Sequence, residues 1–352
     1  MLTFSLLLSI AIAFVFNFLN GMNDAANSIS TIISTKVLTP MQAIIYAAIW
    51  EFVAFFLCKF IIGFAVAGTM GAGIANQDYM NSYVILSALV GAAIWVAVCT
   101  RTGMPISTSH ALIGGIIGAV WFVYGSKALI AKGIIQTLSF IVLSPLIGFI
   151  FSFLLLCFFR LILKNSQRKK VERTFKRLQL FSTAAFCVGH GSNDAQKTMG
   201  IIAVLMYSVL NNPEVSSGVQ KVISAFYDVG KGFYIPDGLA FICYVVMSLG
   251  IAIGGKHVIK TLGGGLSKIT PIKGFTSEIS GATTLILTSI LGIPVSTTHT
   301  ITGGIIGVGI IDGVKNVKWV TAKRIILAWI LTIPVPMVIS GLIHVFLNFL
   351  IA

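Results

Sequence analysis

Charged residues are scarce in this sequence, and acidic residues are the scarcest. Only 10% of the 352 residues are charged, and 10 Asp or Glu stand beside 24 Lys or Arg. An ordinary soluble domain has roughly 25% charged residues. Because 57% of the residues are hydrophobic, the composition excludes such a domain and predicts a polytopic membrane protein.

Cysteine is also sparse, and its placement excludes two further classes. The five cysteines are odd in number and lie within apolar segments, so the sequence contains no disulfide framework and no zinc-site spacing. The net charge of +14 could suit nucleic acid, but the basic residues fall between apolar runs, which membrane orientation explains better. The N-terminus lacks a basic n-region and an A-x-A cleavage site, so we expect a first span there and not a cleaved signal.

Apolar stretches long enough to cross about 30 Å of hydrocarbon divide five and five around a basic connection. They are residues 3–20, 41–67, 82–100, 109–125, 133–162, 178–210, 237–255, 276–291, 296–311 and 323–351. We predict a first repeat over 1–162, a basic cytoplasmic connection over 163–177 and a second repeat over 178–352. With that connection inside, only Lys127, Lys132, Lys221 and Lys231 face outward, while Lys59 and Lys197 lie within spans. Both termini are then expected outside a cell's inner (plasma) membrane.

Two motifs occur twice, which indicates an internal duplication. GMNDAANS at 21–28 returns as GSNDAQKT at 191–198, and GMPISTSHALIGGIIG at 103–118 returns as GIPVSTTHTITGGIIG at 292–307, with ten of sixteen positions identical. An insertion within 211–236 would account for the different offsets. Because each half has an odd number of spans, the second half should be inverted. We therefore predict an all-α polytopic membrane protein with two inverted-topology repeats of about five spans each, and with broken or re-entrant helices at mid-membrane, as is typical of transporters.

Four acids lie within predicted spans: Asp24, Glu51, Asp194 and Glu278. An ionised carboxylate at the bilayer centre costs about 2.5 to 3.5 kcal/mol on insertion scales, so such a residue normally faces a cavity, a partner or an ion. Asparagine and glycine beside the two aspartates disfavour a continuous helix. We therefore predict that both ND motifs interrupt their spans.

The ND motifs carry oxygen ligands that suit a hard cation. In the first copy these come from Asn23, Asp24 and Asn27, and in the second from Asn193 and Asp194. The alternative is that these side chains only cap the ends of the broken helices.

The second repeated motif has the character of an anion site. Pro105 and Pro294 suit the first turn of a helix, and hydroxyls follow at Ser107, Thr108, Ser109, Ser296, Thr297 and Thr298. A helix N-terminus offers unpaired N–H donors and about half a positive charge. Two inverted copies could meet at mid-membrane and bind a small oxyanion, although ordinary capping is the alternative. The GGIIG segments that follow favour close helix packing over phosphate loops.

Histidine and lysine distinguish the two copies. For the equivalent His110 and His299 we favour a structural hydrogen bond to a neighbouring helix over anion binding or proton transfer. His190 has no histidine counterpart, since Asn20 takes that place. Lys197 replaces Asn27 and lies three residues past Asp194, so it should form a local ion pair, which makes the second ND motif a poorer cation site.

The paired motifs GMNDAANS with GSNDAQKT, and GMPISTSH with GIPVSTTH, resemble the signatures of the inorganic phosphate transporter (PiT) family, whose members couple phosphate uptake to sodium or protons. The resemblance implies phosphate binding by the six hydroxyl residues together with Asn23 and Asn193. Glu51 and Glu278 resemble acids that the family uses for transport, in coupling or gating. No acid lies among the twenty residues before Pro105, so Glu278 has no partner in the first half. The short basic connection suggests a prokaryotic form.

We therefore predict a secondary active transporter that imports phosphate by symport through alternating access. We favour sodium, bound by Asp24, Asn23, Asn27, Asn193 and Asp194, because asparagine carbonyls are metal ligands with little use in proton transfer. A proton-coupled symporter and a sulfate permease of the same fold stay open. The expected partners are phosphate, sodium and the bilayer, with no nucleic acid, no cofactor beyond the transported ion, and a homodimer as one option.

Two other classes fit the sequence less well. A channel would use similar residues, but inverted repeats with broken spans favour alternating access. An intramembrane hydrolase could recruit Ser107 with His110, yet the pair has neither an orienting acid nor an evident oxyanion hole. We expect no enzyme activity.

Overall fold

The structure is a computed structural model that describes residues 2–210, 215–228, 230, 232–254 and 256–351. Within those residues it has no strand, only isolated bridges between Ala75 and Leu129 and between Ser267 and Val317. The predicted all-α class is confirmed. The helices are α1 (Leu2–Ser34), α2 (Pro40–Leu57), α3 (Ala65–Ala72), α4 (Ser82–Thr102), α5 (Thr108–Tyr124), α6 (Ala131–Ile162), α7 (Arg168–Leu210), α8 (Ser217–Ser224), α9 (Asp237–Ile253), α10 (Lys256–Gly265), α11 (Pro271–Ile290), α12 (Thr297–Ile310), α13 (Trp319–Leu331) and α14 (Pro334–Ile351).

In the described part of the chain, five helical segments are long and apolar enough to cross a membrane. They are Phe4–Ser34, Pro40–Ile62, Ser82–Thr102, Ala131–Ile162 and Trp319–Leu350. Shorter apolar helices follow at Thr108–Tyr124 and Asp237–Ile253. Many large apolar side chains on these helices face outward, such as Phe4 and Phe349 at 71% and 79% exposure, which is the pattern of a lipid-facing surface.

The helix boundaries differ from the predicted spans in several places. The second span ends in a π-helical turn at Cys58–Ile62, after which Gly63 adopts a φ of 85° and α3 begins. The last span consists of two helices, α13 and α14, with Pro334 opening the second. Most of the basic connection is helical, because α7 already begins at Arg168. Lys231 and part of the polar stretch 211–236 lie outside the described residues.

Both ND motifs lie inside unbroken helices, so the prediction of interrupted spans was wrong. α1 runs for 33 residues and α7 for 43. Gly21 serves close packing and not a bend, because a Cβ there would lie 2.3 Å from the Met247 carbonyl oxygen of α9. Neither motif lies at a helix end, so its side chains cannot cap broken helices and the capping alternative fails as well.

The GGIIG segments pack against helix backbones, as expected. A Cβ at Gly114 or Gly118 of α5 would lie within 2.4 Å of a carbonyl oxygen at the start of α14. A Cβ at Gly303 or Gly307 of α12 would likewise lie within 2.4 Å of a carbonyl oxygen of α6. Each short helix is therefore held by direct backbone contact with a longer one.

An ion-pair cluster joins the ends of three helices. Asp312, just after α12, pairs with Arg160 near the end of α6 and with Lys273 of α11, whose Nζ lies 2.6 Å from Oδ2. Partial burial opposes ionisation of Asp312, but the hydrogen bonds from Arg160 and Lys273 outweigh it and hold the pKa of this carboxyl below its usual value. The cluster fixes the helix ends around the second repeated motif.

Candidate functional site

The starts of α5 and α12 face each other in the interior. The Ser109 hydroxyl donates to the Val295 carbonyl at 3.4 Å, and the Thr298 hydroxyl donates to the Ile106 carbonyl at 2.8 Å. Ser109 corresponds to Thr298 and Ile106 to Val295 in the duplicated motif. The two contacts are therefore the same contact made twice, once by each copy.

The serines that open these motifs act as N-caps. Ser107 and Ser296 each accept a hydrogen bond from a backbone N–H, that of His110 and that of His299, both at 3.2 Å. Capping therefore holds for these two serines. The prolines lie two residues before the caps and not in the first turn, so they shape the approach to the helix.

The first ND motif lies against both helix starts. The Asp24 carboxylate accepts hydrogen bonds from the hydroxyls of Thr108 at 3.1 Å and Thr298 at 3.3 Å. The Asn27 amide donates to Thr298 at 2.9 Å and to Thr297 at 3.3 Å, while Asn23 donates to Thr100 at 2.8 Å. The carbonyl oxygens of Asn23 and Asn27 are buried, and neither has a hydrogen-bond partner in the described part of the chain. A buried carbonyl oxygen without a donor from the protein can accept from a water or coordinate a cation.

The polar side chains of the second ND motif have different hydrogen-bond partners. The Asn193 carbonyl accepts the backbone N–H of Val295 at 3.2 Å, and its amide donates to the Ile293 carbonyl, also at 3.2 Å. Asp194 receives the Thr297 hydroxyl at 3.5 Å and the ammonium of Lys197 at 2.5 Å. The predicted Asp194–Lys197 ion pair is confirmed.

His190 links the acids, and sequence reasoning missed it. Its Nδ1 bonds the Glu51 carboxylate, and its Nε2 lies 3.4 Å from Asp194 Oδ2 and 3.8 Å from Asp24 Oδ2. Ligand atoms of Asp24, His190 and Asp194 lie within 4.8 Å of one another, close enough to share one cation. The available signal was the four-residue spacing of His190 and Asp194, which places both on one face only if the helix is continuous.

Glu278 lies in a separate polar cluster. Its carboxylate accepts hydrogen bonds from Thr31, Ser182, Thr183 and Gln179, on α1 and α7. Thr31 is seven residues beyond Asp24, or about 10 Å along α1. Glu278 therefore contacts the two helices, α1 and α7, that carry the ND motifs. Glu51 instead joins the acid cluster through His190.

The equivalent histidines, His110 of α5 and His299 of α12, are in contact with each other. The rings of His110 and His299 are 4.9 Å apart, and His299 also stacks on Trp329 at 3.7 Å. The expected hydrogen bond to a neighbouring helix is present for His299, whose Nδ1 lies 3.2 Å from the Ile141 carbonyl. It was wrong for His110, since neither ring nitrogen has a hydrogen-bond partner among the described residues.

A pair of equivalent threonine contacts lies beside the two helix starts. Thr69 of α3 donates to the Gly292 carbonyl at 2.7 Å, and Thr261 of α10 donates to the Gly103 carbonyl at 2.8 Å. Gly103 and Gly292 are equivalent positions of the duplicated motif. We call these two contacts the threonine clasps. Asp24 and Asp194 are 1% and 0% exposed, so the site is closed in this conformation.

Comparison with known proteins places the chain in one family. The model of the phosphate transporter family matches residues 20–340. A "Probable low-affinity inorganic phosphate transporter" of Rhizobium meliloti (strain 1021) is 42% identical over 344 residues, 97% of either chain. The chain belongs to the phosphate transporter family.

One further relative and one solved structure agree with that assignment. A protein of the same description from Bacillus subtilis (strain 168) is 36% identical over 268 residues, which is 76% of this chain and 75% of that protein. A solved structure described as "The sodium-dependent phosphate transporter" matches with a TM-score of 0.82 at 25% identity, covering 98% of this chain and 99% of that one.

Membership of the phosphate transporter family confirms the resemblance found in the motifs. It also confirms that the chain is not an enzyme, since the family and these relatives are transporters. The geometry agrees, because the Ser107 hydroxyl caps the His110 backbone N–H instead of pairing with the imidazole. Together with the long apolar helices, family membership makes this a membrane protein.

Proposed function

We propose that this chain imports inorganic phosphate across the cell inner membrane by symport with sodium. The observation that carries the proposal is the meeting of two equivalent helix starts over two buried ND motifs. The helix starts supply N–H groups and hydroxyls for an anion, and the ND motifs supply carboxylates and amide oxygens for a cation. Both kinds of ligand lie within one closed site.

The anion half of the site suits phosphate. With Ser107 and Ser296 acting as caps, the other hydroxyls at the helix starts belong to the residues that follow them. Thr108 and Thr297 each contact a carboxylate, of Asp24 and of Asp194. A carboxylate can accept a proton from a protonated phosphate oxygen, whereas sulfate has none to give, so these acids favour phosphate over sulfate.

The charges of the site explain why a cation should accompany phosphate. Phosphate brings one or two negative charges beside Asp24 and Asp194, in a medium where uncompensated charge is costly. Lys197 and His190 are the basic side chains in contact with these acids. Sodium suits this need, since the buried carbonyl oxygens of Asn23 and Asn27 are ligands of a hard cation and have no donor among the described residues. By linkage, sodium and phosphate then tighten each other's binding by the same factor.

Alternating access follows from the duplicated architecture. In our proposal the two halves are inverted repeats of about five spans, with both termini outside, which is a transporter arrangement. Inversion puts the two threonine clasps on opposite faces of the membrane. Opening Thr69 from Gly292 then exposes the site to one side, and opening Thr261 from Gly103 exposes it to the other.

The test is uptake of labelled phosphate into proteoliposomes with a sodium gradient or a pH gradient imposed in turn. We expect saturable uptake that is driven by sodium and resists competition by sulfate. Uptake driven only by the pH gradient would show that the coupling ion is the proton and not sodium. Strong inhibition by sulfate would make the chain a less selective oxyanion transporter, and no gradient-dependent uptake would refute symport.

Thr108→Val and Thr297→Val test the anion site. Each change keeps the side-chain shape but removes a hydroxyl, so we expect phosphate binding to weaken by about 1 to 3 kcal/mol, or roughly 5- to 150-fold in Kd. Binding is measured by isothermal titration calorimetry on purified protein in sodium. Thr137→Val is the matched control, because that buried hydroxyl bonds only the Gly133 carbonyl of its own helix, at 2.9 Å. Unchanged affinity in both site variants would contradict the assignment.

A further inference from the structure

Lys197 is a buried lysine in the repeat where the other copy has an asparagine. Its side chain is 1% exposed, and its position corresponds to Asn27 in the first ND motif. Lysine is almost never fully buried unless it is paired. The two repeats therefore differ in formal charge at one equivalent point of the site.

The ammonium of Lys197 is held by three oxygens of three chemical kinds. It donates to the Asp194 carboxylate, to the Ser109 hydroxyl and to the Val295 carbonyl, the last at 2.8 Å. An ammonium has three donors and no acceptor, so these contacts use all of them and leave none for a substrate anion. Carboxylate, hydroxyl and carbonyl oxygens are also the ligands of a hard cation.

The first repeat brings together the three equivalent oxygens, but it has no lysine at the position of Lys197. The counterparts of Asp194, Ser109 and Val295 are Asp24, Thr298 and Ile106. The Thr298 hydroxyl lies 3.3 Å from Asp24 Oδ1 and 2.8 Å from the Ile106 carbonyl oxygen, so the three meet here as well.

Asn27 takes the place of the lysine in the first repeat. Its amide donates to Thr298 at 2.9 Å, and its carbonyl oxygen is one of the buried acceptors without a partner among the described residues. The first repeat thus offers a neutral, oxygen-bearing side chain where the second offers a positive charge. The oxygen set is common to both, and only the source of positive charge differs.

We infer that Lys197 is a built-in cation that takes the place of a second transported sodium. The inference rests on the proposed function and sets its stoichiometry: the first repeat binds a sodium that travels with phosphate, while the second carries its positive charge permanently. A family member with an oxygen ligand at both positions would then need one more sodium per phosphate. Fewer coupled ions mean a weaker concentrating power for the same sodium gradient.

The test is Lys197→Asn, which gives the second repeat the residue of the first. Sodium bound per chain is counted by equilibrium dialysis with labelled sodium in the presence of phosphate, on purified protein, and the sodium dependence of uptake is recorded in proteoliposomes. We expect one additional sodium per chain and a steeper sodium dependence. Lys197→Arg keeps the charge and should leave the sodium count unchanged.

A second lysine serves as the control for charge removal elsewhere. Lys59 pairs with Asp237 at 2.8 Å, with side chains 33% and 61% exposed, so Lys59→Asn should not alter sodium binding. The same sodium count in Lys197→Asn as in the unmodified protein overturns the inference. If the unmodified protein binds no sodium, sodium coupling fails, but a sodium gained by Lys197→Asn would still support the built-in cation.

The reciprocal change keeps the test decisive if Lys197→Asn does not fold. Asn27→Lys puts a lysine three residues past Asp24, where it should reach the oxygens of Asp24, Thr298 and Ile106. We expect this variant to lose the sodium dependence of phosphate binding. Retained sodium dependence in a folded Asn27→Lys protein would also overturn the inference.

Discussion

Replacing Asp24 with asparagine should abolish sodium-driven phosphate uptake while the protein still inserts and folds. Asp24 accepts hydroxyls from both helix starts and lies 3.8 Å from His190, so its charge serves the anion side and the cation side together. Removing one member of a buried, hydrogen-bonded charge pair costs about 2 to 5 kcal/mol of binding free energy, which corresponds to a loss of roughly 30-fold or more. Initial uptake rates in proteoliposomes under a sodium gradient provide the measurement.

Two further variants serve as a control and a comparison for Asp24→Asn. Asp237→Asn removes an acid from the exposed pair with Lys59 and should transport normally. Asp194→Asn should impair uptake but leave it dependent on sodium, because our proposal assigns the transported sodium to the first repeat. Full coupled transport by Asp24→Asn would refute the role given to this residue.

His190→Asn should reduce uptake almost as strongly. The imidazole lies between Glu51, Asp24 and Asp194, and without it three buried carboxylates lose their common partner. Asparagine is chosen because it is the residue at the equivalent position 20 of the first copy. We expect uptake to fall by roughly 30-fold or more, from the same cost of about 2 to 5 kcal/mol for an unpaired buried charge.

A double variant separates charge imbalance from loss of a contact. Glu51→Gln removes the charge that His190 accompanies, so His190→Asn combined with Glu51→Gln should recover part of the activity lost by His190→Asn alone. His257→Asn, on an exposed position of α10, is the matched control and should leave uptake unchanged. Normal uptake by His190→Asn would contradict the central place of this histidine.

The repeated motifs allowed much of the site to be predicted. Duplication of the helix-start motif indicated two equivalent ends that meet, and the structure brings Ser109, Thr298 and their partners together. The exchange of Asn27 for Lys197 pointed to an ion pair and to an asymmetry between the repeats. These features are visible in the sequence because the equivalence of two motif copies and the spacing of two residues can both be read from the amino-acid order.

The continuity of α1 and α7 could not be predicted in the same way. Glycine and asparagine weaken an isolated helix, but here Gly21 permits contact with α9 and the asparagines bond across to other helices, so tertiary packing outweighs propensity. The central role of His190 was missed for a related reason. Its three acid partners come from α1, α2 and α7, and a histidine without a counterpart gave no signal of that convergence.

The length of α7 has a mechanical consequence. Asp194 and Lys197 share one unbroken helix with the basic turns that begin at Arg168, and 26 residues separate Arg168 from Asp194, or about 39 Å of helix. A rigid rod converts a small tilt at one end into a large displacement at the other: a tilt of about 10° around Asp194 moves the basic end by about 7 Å. A spectroscopic probe on those exposed turns would therefore report the tilt of the helix that carries Asp194 and Lys197, without altering any side chain of the candidate site.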